Sequence, residues 1–167
     1  MEVVDLVPRR DAAGVRNLIA HAVGYPTPDK LRRVLFGHSI DPARHLVGFE
    51  QTGALVGLLG VKIEPEHATI HQIAVQPQAR SQGVGREMVR WLVETAGMTR
   101  VVAETDNDAV GFYRRLGFSV VSLGDERYPG TERFECRLDA GAGADLSTSA
   151  HGRYYDSQHH ERRREHP

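Results

Sequence analysis

Cysteine is nearly absent from this chain of 167 residues. The only one, Cys136, can form no internal disulfide, so the sequence implies no oxidising compartment. An excess of charge of one sign is missing too. Twenty-one basic side chains against 22 acidic ones leave a net charge of -1, without the basic surplus typical of nucleic-acid binders. No run approaches the roughly 18 apolar residues that a membrane span requires. The first residues, Met1-Glu2-Val3-Val4-Asp5-Leu6, carry acids where a signal peptide has a basic segment and an apolar core. A cytoplasmic location is therefore expected, with neither nucleic acid nor membrane as a partner.

What is present is the balance of a globular protein, 40 % hydrophobic and 26 % charged, at a length that suits one domain. Cys136 lies in the alternating stretch Arg133-Phe134-Glu135-Cys136-Arg137-Leu138. A nucleophilic role is conceivable, but alternation makes it a strand residue packed as a small hydrophobe.

Apolar periodicity and turn residues divide the chain into an ordered series of elements. Glu2 to Val7 reads as a strand closed by Pro8. Asp11 is placed to cap a helix carrying Val15, Leu18, Ile19 and Ala22, and a second helix is expected from Pro28 to Phe36. Strands at His45–Glu50 and Ala54–Ile63 form a hairpin around Gln51-Thr52-Gly53, and a further strand runs from His67 to Val75. Helix 83–96, strand 100–105, helix 109–116 and strands 118–123 and 131–138 complete the pattern. The order is α/β in character, a mixed sheet with helices on its faces. Residues 1–138 are expected to form the domain. From Asp139 onward aliphatic residues nearly vanish, so 139–167 are expected to form a disordered polar tail. Within it, nothing fixes the geometry of His159, His160 and His166 as metal ligands, and Arg162-Arg163-Arg164 is flanked by glutamates as a solvated charge run. No metal site is expected.

The stretch that points to chemistry is Val75-Gln76-Pro77-Gln78-Ala79-Arg80-Ser81-Gln82-Gly83-Val84-Gly85-Arg86-Glu87. A strand ends at proline, an arginine-bearing loop follows, and two glycines open an amphipathic helix. The first turn of a helix offers unpaired N–H groups and the positive end of the dipole. Glycine lets a phosphate approach them closely. Amides of residues 81 to 86 could thus hold a pyrophosphate, with Arg80 or Arg86 adding charge. Arg86-Glu87 after Gly85 rules out a Walker loop, and Met88 departs from the dinucleotide fingerprint. On the glycines alone, a tight strand-to-helix turn without a ligand explains the stretch equally well.

Val75-x-Pro77 followed by Arg80-x-x-Gly83-x-Gly85 resembles the acetyl-coenzyme A signature of the GNAT superfamily of N-acetyltransferases. That family's second segment, a strand, a polar turn, Ala-x-x-(aromatic)-Tyr and Gly-Phe, is matched by Val101 through Ala109, Phe112-Tyr113 and Gly117-Phe118. The resemblance implies a twisted mixed sheet of about seven strands with about four helices, whose two central parallel strands splay apart. It implies acetyl-coenzyme A as cosubstrate, its pantetheine arm paired with main chain of Ile73, Ala74 and Val75. Its pyrophosphate would lie on Arg80, Ser81, Gln82, Gly83, Val84, Gly85 and Arg86. The acceptor amine would attack the thioester directly in a ternary complex.

Tyr113 falls where the family often places the acid that protonates the leaving thiolate, and a phenol is protonated at neutral pH. Its alternative is a helix residue packed on the sheet. The family's usual asparagine position is occupied by Asp106, with Asn107 adjacent, so either Asn107 takes over the cofactor contact through a shifted turn or that contact is lost. For the base, His71 is expected on the same strand face as Ile73, with Glu104 as competitor and no dedicated base as the third option. Tyr25-Pro26-Thr27-Pro28 and the loop from Asp125 to Gly130 are expected on the acceptor side, where Asp125 and Glu126 could attract a cationic amine or simply be solvated. A small-molecule primary amine is the first acceptor considered, a protein lysine or α-amino group the second, and a non-catalytic acyl-coenzyme A sensor the alternative from another class. Dimers are common in the family, which makes a homodimer compatible with the resemblance.

Overall fold

A computed structural model describes residues 1–140 of the chain. The elements run β1 (Glu2–Asp5), α1 (Ala13–Ala20), α2 (Pro28–Ile40), β2 (Arg44–Gln51), β3 (Ala54–Ile63), β4 (His67–Val75), α3 (Val84–Glu94), β5 (Arg100–Asp106), α4 (Val110–Arg115), β6 (Ser119–Gly124) and β7 (Arg133–Asp139). Two 3-10 turns, Val7–Arg9 and Pro77–Ala79, follow β1 and β4. The seven strands pair into one sheet in the order β1-β2-β3-β4-β5-β7-β6. Every pairing in it is antiparallel except that of β4 with β5. The mixed seven-stranded sheet with four helices agrees with the expected fold.

Period-two alternation sorts side chains onto two faces. In β7, Phe134, Cys136 and Leu138 are buried while Glu135 and Arg137 face out. On one face α3 presents Val84, Met88, Val89, Trp91 and Leu92 to Val47, Phe49, Leu59, Val61, Ala68 and Ile70 of the sheet. Phe49 and Trp91 meet edge to face, 6.1 Å between centroids. On the other face Val15, Leu18 and Ile19 of α1 and Leu35 of α2 cover Leu46, Leu58 and Ala74. Cys136 lies in the first of these cores with no exposed surface, and burial raises the pKa of its thiol, so it is a packing residue.

Several boundaries differ from the sequence expectation. Ala12, not Asp11, occupies the cap position of α1, and no side chain caps that helix. The second helix continues past Phe36 to Ile40. Thr27 Oγ1 caps it by accepting from the Lys30 amide at 3.2 Å, and Pro28 starts it. Gly83 stands outside α3 as its cap, at φ +84°. Asp139 belongs to β7, where its carboxylate accepts from Arg100 Nε (2.9 Å) and Arg137 Nη2 (3.1 Å). The expected tail from residue 141 on, including its histidines and arginines, lies outside the described residues.

β4 and β5 pair only from His67↔Arg100 to Ile70↔Ala103, although β4 continues to Val75 and β5 to Asp106. Beyond Ile70 the two strands part. At the same place β4 carries a bulge against β3: Val61 faces Ile70, but the adjacent Gly60 faces Gln72, so His71 is the extra residue. Ile73 packs on the α3 side with Ile70, so the alternation breaks between them, and His71 and Gln72 both turn to the α1–α2 side. The expectation that His71 shares a face with Ile73 is corrected by this bulge.

Truncating a fully buried side chain between α3 and the sheet removes contacts that nothing can replace. Leu92→Ala is expected to lower unfolding free energy by about 2–5 kcal/mol, read as a lower urea midpoint at unchanged slope.

Candidate active site

A cleft of about 710 Å³ lies beside the stretch of β4 that has left β5. Ile73, Ala74 and Val75 form one wall. Ala79 to Ser81 and Gly83 to Arg86 form the end, and Ala109, Phe112, Tyr113, Arg115 and Leu116 of the α4 region form the opposite wall. The local backbone explains the end wall. After the 3-10 turn, Ser81 and Gly83 adopt positive φ (61° and 84°), which folds the loop so that α3 starts at the cleft. Across this start, the Glu87 amide donates to the Gly83 carbonyl at 3.0 Å. Amides of the first turn before Glu87 have no acceptor one turn back within the helix. Arg80 is steadied by donating from Nε to the Val75 carbonyl at 3.3 Å.

The charge of the cleft has one sign. Arg80, Arg86 and Arg115 line it, and among the described residues no aspartate or glutamate does. Among the described residues none of these three arginines has a carboxylate partner within salt-bridge distance. Guanidinium groups beside unpaired helix amides are the kind of lining that suits an anion.

Tyr113 is held from three sides. It is 3 % exposed, and its ring meets Phe112 and Phe118 edge to face at centroid distances of 5.1 and 5.2 Å. The end of α4 fixes it further. The Phe118 amide donates to the Tyr113 carbonyl (3.1 Å) and the Gly117 amide to the Arg114 carbonyl (3.1 Å), with Gly117 at φ +86°. This is a Schellman closure with its usual apolar contact, and it explains why glycine and phenylalanine follow the helix. Burial, and then the neighbouring Cys136 thiol, push the phenol pKa well above its ordinary value, so Tyr113 stays protonated at neutral pH.

Gly85 serves a different contact from the one its position suggests. A Cβ there would stand 2.7 Å from Phe112 Cε2, so the missing side chain lets α4 close on α3. Of the residues expected to hold the cofactor, Gln82 turns its amide to the Gln78 carbonyl (2.7 Å) and is absent from the cleft lining. Neither Asp106 nor Asn107 lines it. Asp106 Oδ1 accepts the Asp108 amide at 3.1 Å and closes its own turn, while Asn107 is exposed.

The two candidate bases lie outside the cleft lining as well. His71 keeps exposed surface, yet enough protein surrounds its ring that lost hydration is the first cause of a lowered pKa, followed by Arg44, His38 and Lys62. Glu104 is occupied by Arg133 Nε (3.1 Å) and Arg127 Nη1 (3.3 Å), which tie the segment after β6 to β5. Asp125 is likewise engaged, accepting the Gly130 amide at 3.1 Å within its own loop. His21, Phe112 and Arg115 escape the sequence reading as cleft residues. Phe112 and Arg115 carry a signal, since the spacing i, i+3 places them on one face of α4. His21 carries none, because the packing of α1 alone brings it there. Among the described residues no cluster of His, Cys, Asp or Glu could hold a metal ion, and no helix is long and apolar enough to cross a membrane.

Residues 12–118 match the family model described as acetyltransferase (GNAT) family. The chain belongs to that family. It is 34 % identical over 109 residues to the N-alpha-acetyltransferase RimI of Mycobacterium tuberculosis, a match covering 60 % of this chain and 69 % of that protein. It is 32 % identical over 92 residues to a mycothiol acetyltransferase of an Arthrobacter species, covering 47 % of this chain but only 28 % of that longer protein. Among solved structures, an aminoglycoside 6'-N-acetyltransferase complexed with coenzyme A superposes with a TM-score of 0.63 at 14 % identity, covering 90 % of this chain and all of the other. That last likeness speaks for the fold.

The contact between Gly85 and Phe112 generates a test. Gly85→Ala is expected to destabilise the protein by about 1–3 kcal/mol, and adding Phe112→Ala should recover part of that loss. A double-mutant cycle in urea that shows no coupling between the two positions contradicts the contact.

Proposed function

We propose that the protein transfers the acetyl group of acetyl-coenzyme A to a primary amine, by direct attack in a ternary complex. The observation that carries this reading is the acid-free, arginine-lined cleft at the start of α3, walled by a strand whose main chain has left its parallel neighbour. The residues fit the coenzyme. Arg80, Arg86 and the amides at the start of α3 suit the diphosphate, and Ile73, Ala74 and Val75 offer main-chain groups to the two amides of the pantetheine arm. The apolar wall of Phe112 and Leu116 suits the methylene segments of that arm.

In this scheme the amine nitrogen attacks the thioester carbonyl carbon. The C–N bond forms as the C–S bond breaks, and the thiolate takes the phenolic proton of Tyr113. The proton released by the amine passes through water to His71. Its lowered pKa keeps that imidazole neutral at pH 7 and able to accept. Glu104 is the less available candidate in this reading, because two guanidinium groups already occupy its carboxylate.

For the acceptor, a small-molecule amine is the first choice. A protein α-amino group is the second, favoured by the match to RimI over more than two thirds of that protein. Free-thiol release measured over small amines, peptides with a free N-terminus and N-blocked lysine peptides separates them. Coenzyme binding by calorimetry without thiol release on any amine indicates a sensor instead.

Tyr113→Phe is expected to lower kcat by about 10²-fold or more while leaving the calorimetric affinity for coenzyme A unchanged. Unaltered turnover removes the acid role. Wild-type rate should fall as pH drops through the His71 pKa, which lies below its ordinary 6.5, because the charged ring cannot accept a proton. His71→Ala should abolish that acidic limb. A profile of the same shape in the variant eliminates His71 as base.

A further inference from the structure

We propose that the hydrogen-bonded pair of buried His38 and half-buried Gln72 is a positioning couple that fixes the phase of β4 at the point where it parts from β5. His38, in the last turn of α2, is 2 % exposed, and its Nε2 donates to Gln72 Oε1 at 2.8 Å. The space for this bond comes from β3. A Cβ on Gly60 would stand 2.3 Å from Gln72 Oε1 and 2.9 Å from His38 Nε2, so only glycine leaves the bond room. A helix and two strands thus meet on one hydrogen bond.

Its position gives it a consequence. Gly60 pairs with Gln72 across the bulge, and the last parallel pair of β4 with β5, Ile70↔Ala103, lies two residues earlier. A strand that slips by one residue exchanges the two faces of everything after the slip. Here the choice falls between Gln72 and its neighbours for the inward place under α2. An amide turned under α2 without a partner is unfavourable, so the His38 donor is what makes Gln72 the residue to turn inward. Once Gln72 is seated, Ile73 and Val75 point to the α3 side and Ala74 to the α1 side. The main-chain groups of Ile73, Ala74 and Val75 at the cleft are set by the same choice. Neither His38 nor Gln72 lines the cleft, and the couple acts through β4. Its effect on turnover rests on the acetyl-transfer reading, while its effect on the strand does not.

The test uses the full chain with His38→Leu, Gln72→Leu and the two combined. Each single change strands one polar group and should lower the melting temperature. The double change removes both groups and should restore most of it. Two readouts then separate positioning from stability. Hydrogen exchange of the β4 amides from Gln72 to Val75 should be at least about tenfold faster in the double variant than in the wild type, with the β2–β3 amides unchanged. Thiol release should fall by about tenfold or more in kcat, since reacting groups are sensitive to misplacement of about 1 Å. Wild-type protection of Gln72 to Val75 in the double variant overturns the couple, as does full turnover at restored stability. A wild type that releases no thiol refutes the acetyl-transfer reading and leaves exchange to decide the couple. If the double variant does not fold, Gln72→Asn, too short to reach His38, takes its place in the exchange measurement. Faster exchange from residue 72 to Val75 then supports the couple, and wild-type protection overturns it.

Discussion

The structure turns on the end of one ladder of hydrogen bonds. β4 and β5 are the parallel pair of the sheet, and their register stops at Ile70 and Ala103 while both strands run on. Buried main-chain groups normally find partners in the ladder, so a strand that leaves its neighbour exposes donors and acceptors that must be satisfied otherwise. The cleft is built around that gap in the pairing. α3 begins at its end, α4 stands across from it, and the two helices close through the contact of Phe112 with the missing side chain of Gly85.

The two sheet faces divide the work. The α3–α4 face carries the larger core, the cleft and Tyr113, and the Schellman closure of α4 ties the position of that phenol to Gly117 and Phe118. The α1–α2 face covers β1 to β4 and stops short of β5, β7 and β6. His71 and Glu104 lie on that second side and outside the cleft lining, which itself takes His21 and Ala74 from there. The cleft at the end of the β4–β5 pairing thus draws its lining from both faces.

Much of this architecture is legible in the residues. Alternation marks the bounds of β3 and β4 to the residue, and the stretch from Val75 to Glu87 places the loop and helix that end the cleft. Where the sequence misleads, a long-range contact has the deciding role. Period two carried across a bulge puts His71 on the wrong face. The clue is present in the apolar set Ala68, Ile70, Ile73 and Val75, whose spacing changes phase in the middle. Asp11 suits a cap by local preference, yet the backbone enters α1 one residue later. Asp139 looks like the start of a polar tail, but its two arginine partners come from β5 and from its own strand. Composition sees none of these pairings. The role of Gly85 is likewise hidden, because its partner lies on α4.

The single sign of charge in the cleft affects more than one ligand. Arginines that line one cleft without a carboxylate partner among the described residues favour an anion that settles beside them. Such binding favours the folded chain by mass action. Sulfate or phosphate bound there is expected to raise the melting temperature beyond the general stabilisation those salts give any protein. Buffer chemistry becomes a first, inexpensive probe of the cleft.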